Sequence, residues 1–168
     1  ENITPETALQ NPTVFACVSL LAQTVAQLPW GVSRATVVGF DLVKHPLQAL
    51  LDKPNSSMTD YEFKHGLVVD LLTYGNAYFL KVVTSSGKVI ELIPLSPADM
   101  TLVLSATGKQ TYRHTNGTVY PADKIIHIRD FIGGSVHGLS KVNQCANLVG
   151  IDNAIDNTLA DHFRNGTA

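Results

Sequence analysis

The sequence predicts an α+β fold: a helix near each end, helices packed on a central antiparallel, meandering sheet, and a long C-terminal helix. Three observations carry this. Apolar residues recur at helical spacing over 14–28 and again beyond Ser140. A capping-box helix starts at Thr59. Between residues 78 and 128, short β-rich runs alternate with Gly-containing turns. At 168 residues and 45% hydrophobic content the chain can bury one core, so a single domain over residues 1–168 is expected.

Each element has a local reason. Asn11 caps a helix whose first turn holds Pro12, and Val14, Cys17, Val18, Leu21, Val25 and Leu28 make its stripe before Pro29 stops it. The valine-rich stretch 30–43, broken by Gly39, reads as a short hairpin. His45-Pro46 opens one or two helical turns bearing Leu47, Leu50 and Leu51, ended by Pro54-Asn55. Thr59 and Glu62 form the capping box of the next helix, with Phe63, Leu67, Val68, Leu71 and Leu72 inside it and Gly75-Asn76 as its stop. Residues 78–83 and 89–93 form a hairpin about Ser85-Ser86-Gly87. Further strands follow at 100–104, 110–113, 118–120 and 125–128. A glycine-rich loop from Gly133 to Gly138 then leads into the last helix, with Leu148, Ile151, Ile155, Leu159 and Phe163 on one stripe. Its polar positions are short amides and aspartates, which suit either a protein contact or a solvated face.

Composition bounds the partners. Charged residues are only 15%, below the roughly 25% usual for soluble domains. An obligate assembly accounts for that, and so does an amide- and threonine-rich monomer. A net charge of -2 supplies no basic field for tight nucleic-acid binding. Cys17 and Cys145 lie in apolar helical stretches and are expected as buried free thiols. No apolar run approaches the ~20 residues that span a bilayer, since Gln23 and Gln27 interrupt the first helix. No membrane partner is expected.

The sequence carries few catalytic or ligand-binding signatures. Gly133 and Gly138 have the spacing that opens a P-loop, but Leu139-Ser140-Lys141 displaces the lysine by two places. His127, Arg129 and Asp130 cluster on a strand, with His127 and Arg129 on one face and Ile126 and Ile128 on the other. Neither Ser135 nor Ser140 lies in a nucleophile elbow. The six histidines show no i,i+4 pair and stand near no Cys-x-x-Cys. No catalytic residue, cofactor site or metal site is therefore assigned. The competing readings are a small hydrolase using His127 and Arg129 beside the 133–138 loop, and a monomeric binding module using a sheet face.

Several segments in fixed order resemble the portal proteins of tailed phages. They are Val14 through Cys17-Val18 to Leu28-Pro29; His45-Pro46-Leu47, Leu50-Leu51, Pro54-Asn55 and Met58-Thr59 with Glu62-Phe63; and Gly75-Asn76-Ala77-Tyr78. Glu91-Leu92-Ile93-Pro94-Leu95 with Pro97, Ile126-His127-Ile128-Arg129, Gly138-Leu139-Ser140 and Phe163 with Gly166 complete the set, which spans residues 12–166. Two departures stand out: Lys141 occupies a position where the family often has proline, and the segment 33–43 is short.

The resemblance implies a structural role without catalysis: a dodecameric ring at the capsid vertex, in the virion and, during assembly, in the host cytoplasm. It implies contact with double-stranded DNA without sequence preference, docking of terminase, and contact with capsid and head-tail connector proteins. The matching part is the wing, so the chain is expected to stop before the stem and clip. Gly75, Asn76, His127, Arg129 and Gly138 are the family-signature structural residues that it carries over.

Overall fold

The first long helix shows how local rules and packing divide the work. In the computed structural model, which describes residues 4–105, 108–130 and 136–166, a short helix α1 (Pro5–Ala8) precedes α2 (Pro12–Ala26). The Asn11 side chain accepts hydrogen bonds from the Thr13 and Val14 N–H groups at 2.9 and 3.2 Å, satisfying donors that the first turn leaves open. The buried face of α2 is Val18, Ala22 and Ala26, not the leucine stripe expected from spacing, and Leu21 and Leu28 are exposed. Small residues let α2 lie close on α4 (Asp60–Tyr74), which the larger leucines would prevent.

Between these helices come a hairpin of β1 (Ser33–Thr36) and β2 (Gly39–Leu42) and the helix α3 (Pro46–Asp52). Helix α4 starts on a complete capping box: Glu62 N–H donates to Thr59 Oγ1, and Thr59 N–H donates to the Glu62 carboxylate at 2.8 Å. Its inner face sets Phe63 and Leu67 on Ala77, Phe79 and Leu92 of the sheet. The Phe63 and Phe79 rings lie 4.6 Å apart at 35°. Burying each such side chain stabilises the fold by roughly 1.5–3 kcal/mol.

The strands are β3 (Asn76–Val83), β4 (Val89–Leu95), β5 (Met100–Leu104), β6 (Gln110–His114), β7 (Val119–Pro121) and β8 (Ile125–Arg129), all antiparallel in their pairings. A single continuous meander was expected. The β3-β4 hairpin and β5-β6-β7 follow it, but β4 does not pair with β5, and β8 crosses back to β3, giving a second three-stranded sheet in the order β4-β3-β8. That sheet is covered on both faces. Helix α4 takes the side of Phe79, Ile126 and Ile128, and the β5-β6-β7 sheet takes the side of Tyr78 and Ile125 through Met100, Leu102 and Tyr112. The face shared by His127 and Tyr78 is thus an aromatic layer between two sheets.

The last helical region, expected as one helix from about Ser140, is α5 (Lys141–Gln144) and α6 (Ala146–Asn165), separated at Cys145. The Ser140 side chain caps α5 by accepting from Asn143 N–H at 3.0 Å. Ile151, Ile155, Leu159 and Phe163 form an exposed stripe on α6, and the Leu148 side chain lies outside the described residues. Both cysteines are exposed free thiols, contrary to the expected burial. Cys17 sits beside the core face of α2, and Cys145 stands at the break between the last two helices.

Candidate functional site

The structure gathers Gly75, Asn76, His127, Arg129 and Gly138 into one junction at the end of α4. Gly75 ends that helix in the left-handed region, at φ 73°, with its N–H on Leu71 O at 2.9 Å. A residue without Cβ adopts this region without steric cost. Its carbonyl accepts from Asp130 N–H at 2.8 Å, and Asp130 O in turn accepts from Leu139 N–H at 3.0 Å. A Cβ on Gly75 would stand 2.5 Å from the Leu139 carbonyl carbon, and one on Gly138 would overlap the Gly75 carbonyl oxygen. Gly138 is thus required for close backbone approach, although its φ is not positive.

Asn76 is the hub. Its Nδ2 donates to Tyr74 O at 2.9 Å and to Gly138 O at 3.4 Å. Its Oδ1 accepts from Gly138 N–H at 2.9 Å and faces His127 Nε2 at 2.9 Å. Because Oδ1 can only accept, His127 carries its proton on Nε2, which leaves Nδ1 to accept from the Tyr112 hydroxyl at 3.4 Å. The His127 ring stacks on Tyr78 at 4.4 Å between centroids and meets Tyr112 edge-on at 5.6 Å. Burial, and then the charges of Arg129 and His137, pull His127 down to about 4, so the ring is neutral near neutral pH. The same burial pushes the Tyr78 hydroxyl up to about 12.

Arg129 reaches across to donate to Val136 O at 3.2 Å, and Lys141 pairs with Asp130 at 3.3 Å. Ser140 Oγ donates to Thr73 O. Both ring nitrogens of His127 are occupied by Asn76 and Tyr112, and the Ser140 hydroxyl is held by a backbone carbonyl. The described residues therefore assemble no activated nucleophile at this junction. Gly133, Gly134 and Ser135 of the glycine-rich loop lie outside them. Among the described residues no group of three His, Cys, Asp or Glu is placed to hold a metal.

Two further features escaped the sequence reading. Lys64 is buried, its ammonium donating to Leu28 O at 3.1 Å and Asp60 at 2.9 Å, 5.5 Å from the Trp30 ring centroid. The i,i+4 spacing of Asp60 and Lys64 was the available signal. The second is the amount of exposed apolar surface. Phe15, Leu20 and Leu21 on α2, Val37 and Val38 at the tip of the β1-β2 hairpin, and the α6 stripe are all in solvent. Helix α2 carries no charged residue along its length, and an apolar groove of about 240 Å³ runs between α2 and α5 past Val14, Cys17, Leu72 and Val142.

The profile of the family described as "Phage portal protein" matches residues 12–168. The portal protein of Enterobacteria phage HK97 is 36% identical over 98% of this chain and 40% of its own length. Among solved structures, a chain of the virion of a native gene transfer agent particle superposes with a TM-score of 0.80, at 23% identity, over 99% of this chain and 46% of its own. A chain from the neck of the native particle, computed with C12 symmetry, gives 0.75 at 24% identity over 94% and 42%. The chain thus spans less than half the length of each of these relatives.

Proposed function

This chain belongs to the phage portal protein family, and we propose that it is the wing-like part of a ring subunit at the capsid vertex. The ring would be the conduit for double-stranded DNA in packaging and ejection, and the docking platform for terminase and then for capsid and head-tail connector proteins. The role is structural, not enzymatic. The observation that carries assembly is the solvent-exposed apolar surface of α2, a helix without a charged residue, together with the exposed apolar side chains of the β1-β2 hairpin and α6. Depletion of charge together with exposed apolar side chains marks surfaces that are covered in an assembly. The C12 symmetry of the related neck supports a ring of twelve, since head-to-tail contacts close into rings when the rotation per subunit divides the circle.

The mild net charge of -2 fits a conduit along which DNA slides, because each phosphate held by a fixed cation adds to the attachment that sliding must break. Negative-stain microscopy of the full-length protein tests the proposal: rings are the expected result, and monodisperse monomers under packaging conditions would overturn it. Residues 1–168 alone are expected to be monomeric or weakly associated, and to bind DNA feebly with no sequence preference. Light scattering and DNA titrations at two salt concentrations check this. A salt-resistant preference for one DNA sequence would contradict a conduit.

A further inference from the structure

Helix α6 presents its apolar stripe to solvent, and among the described residues its main packing partner is α5. Its direction is therefore decided at its base. The base is α5 and the segment before it, seated by Val142 against Ala8 and Val14, by Ser140 on Thr73 O, and by the contacts of Gly138.

We infer that Asn76 is the positioning residue of the final helices: its carboxamide clasps the segment 138–140 to the start of β3 and to β8, and so sets the angle at which α5 and α6 leave the body. The side chain engages both N–H bonds and both lone pairs of its carboxamide, toward Tyr74 O, Gly138 O, Gly138 N–H and His127 Nε2–H. No other side chain reproduces this set. Asp keeps the two acceptances and loses both donations, Gln is a methylene too long, and an apolar residue loses all four. His127 extends the clasp to Tyr112 on β6, so the node joins the end of α4, both three-stranded sheets and the entry to α5. The bare contact of Gly75 with Gly138 leaves room for it. The clasp lies within one chain and does not depend on ring assembly.

Regional hydrogen exchange on the 168-residue chain separates a clasp from an ordinary stabilising residue. In Asn76→Ala the amides of Gly138, Leu139 and α5 are expected to exchange at least about tenfold faster, while those of β3, β4 and β6 stay within about threefold of the parent, because local opening is independent of global unfolding. Asn76→Asp should give a smaller loss confined to the same segment. His127→Gln, which keeps a donor for Oδ1, should protect the segment better than His127→Leu. In a Cys145→Ser background, spin labels on Cys17 and on Asn157→Cys should show one narrow distance distribution in the parent and a broadened one in Asn76→Asp. Equal acceleration in both sheets, unfolding of both Asn76 variants, or unchanged exchange at 138–144 with an unchanged distance distribution would each overturn the inference.

Discussion

The Gly138 Cα and the Gly75 carbonyl oxygen approach so closely that a Cβ on Gly138 would occupy the position of that oxygen. The left-handed turn that ends α4 and the strand of backbone that enters α5 are thereby packed with no side chain between them.

Three glycines separate the two costs involved. Gly87 has φ 81° and open space around it, so Gly87→Ala should lower stability by about 1 kcal/mol, the cost of the backbone conformation alone. Gly138→Ala should cost on the order of 3 kcal/mol, the upper end for an overpacked site. Gly75→Ala combines both penalties and should exceed Gly87→Ala clearly. Urea midpoints with unchanged m-values measure all three, and equal effects at Gly87 and Gly138 would contradict the close approach.

Lys64 spends its charge inside the protein. Lys64→Met keeps much of the aliphatic stem but leaves Leu28 O without its charged donor, and should destabilise by about 1–3 kcal/mol. Asp60→Asn, at the solvent end of the same contact, should have a smaller effect. Thermal melts of the two variants side by side check the order.

Two groups give stability opposing responses to pH. Neutral His127 contributes stability that is complete above about pH 6.5, its unfolded value, and is lost as pH falls toward about 4. Burial raises the Asp70 carboxyl to about 7, so its contribution is present below its ordinary value of 3.8 and disappears as pH rises through 7. The two slopes oppose each other between about pH 4 and 7, so His127→Gln should make stability fall with rising pH across that window relative to the parent. Asp70→Asn should instead make it rise more steeply there and leave it higher at pH 8. Urea titrations between pH 4.5 and 8 give both slopes.

Both thiols should react in the native state. Exposed Cys17 and Cys145 predict two equivalents of label per chain from a small thiol reagent without denaturant, with the circular dichroism spectrum preserved. Labelling that requires unfolding would restore the burial expected from their apolar surroundings.

The sequence alone determined the caps and stops, because each depends on residues within one turn of one another. Asn11 before Pro12, the Thr59 and Glu62 box and Gly75 after α4 act where their side chains stand in the chain, and the observed bonds follow. The strand segments were legible for the same reason, and so was the portal-like order of motifs. Only the tertiary structure decided which face of α2 is buried, that β8 returns to β3, that Lys64 is inside while both cysteines are outside, and that five residues carried over as a signature meet in one junction. Periodicity could not place the α2 face, since Leu21 is the better hydrophobe but Ala22 and Ala26 are what fit against α4. Nor could spacing bring Asn76 to His127 and Gly138: those contacts link residues far apart in sequence, and they form only when packing of the two sheets and α4 supplies the energy that closing such loops costs.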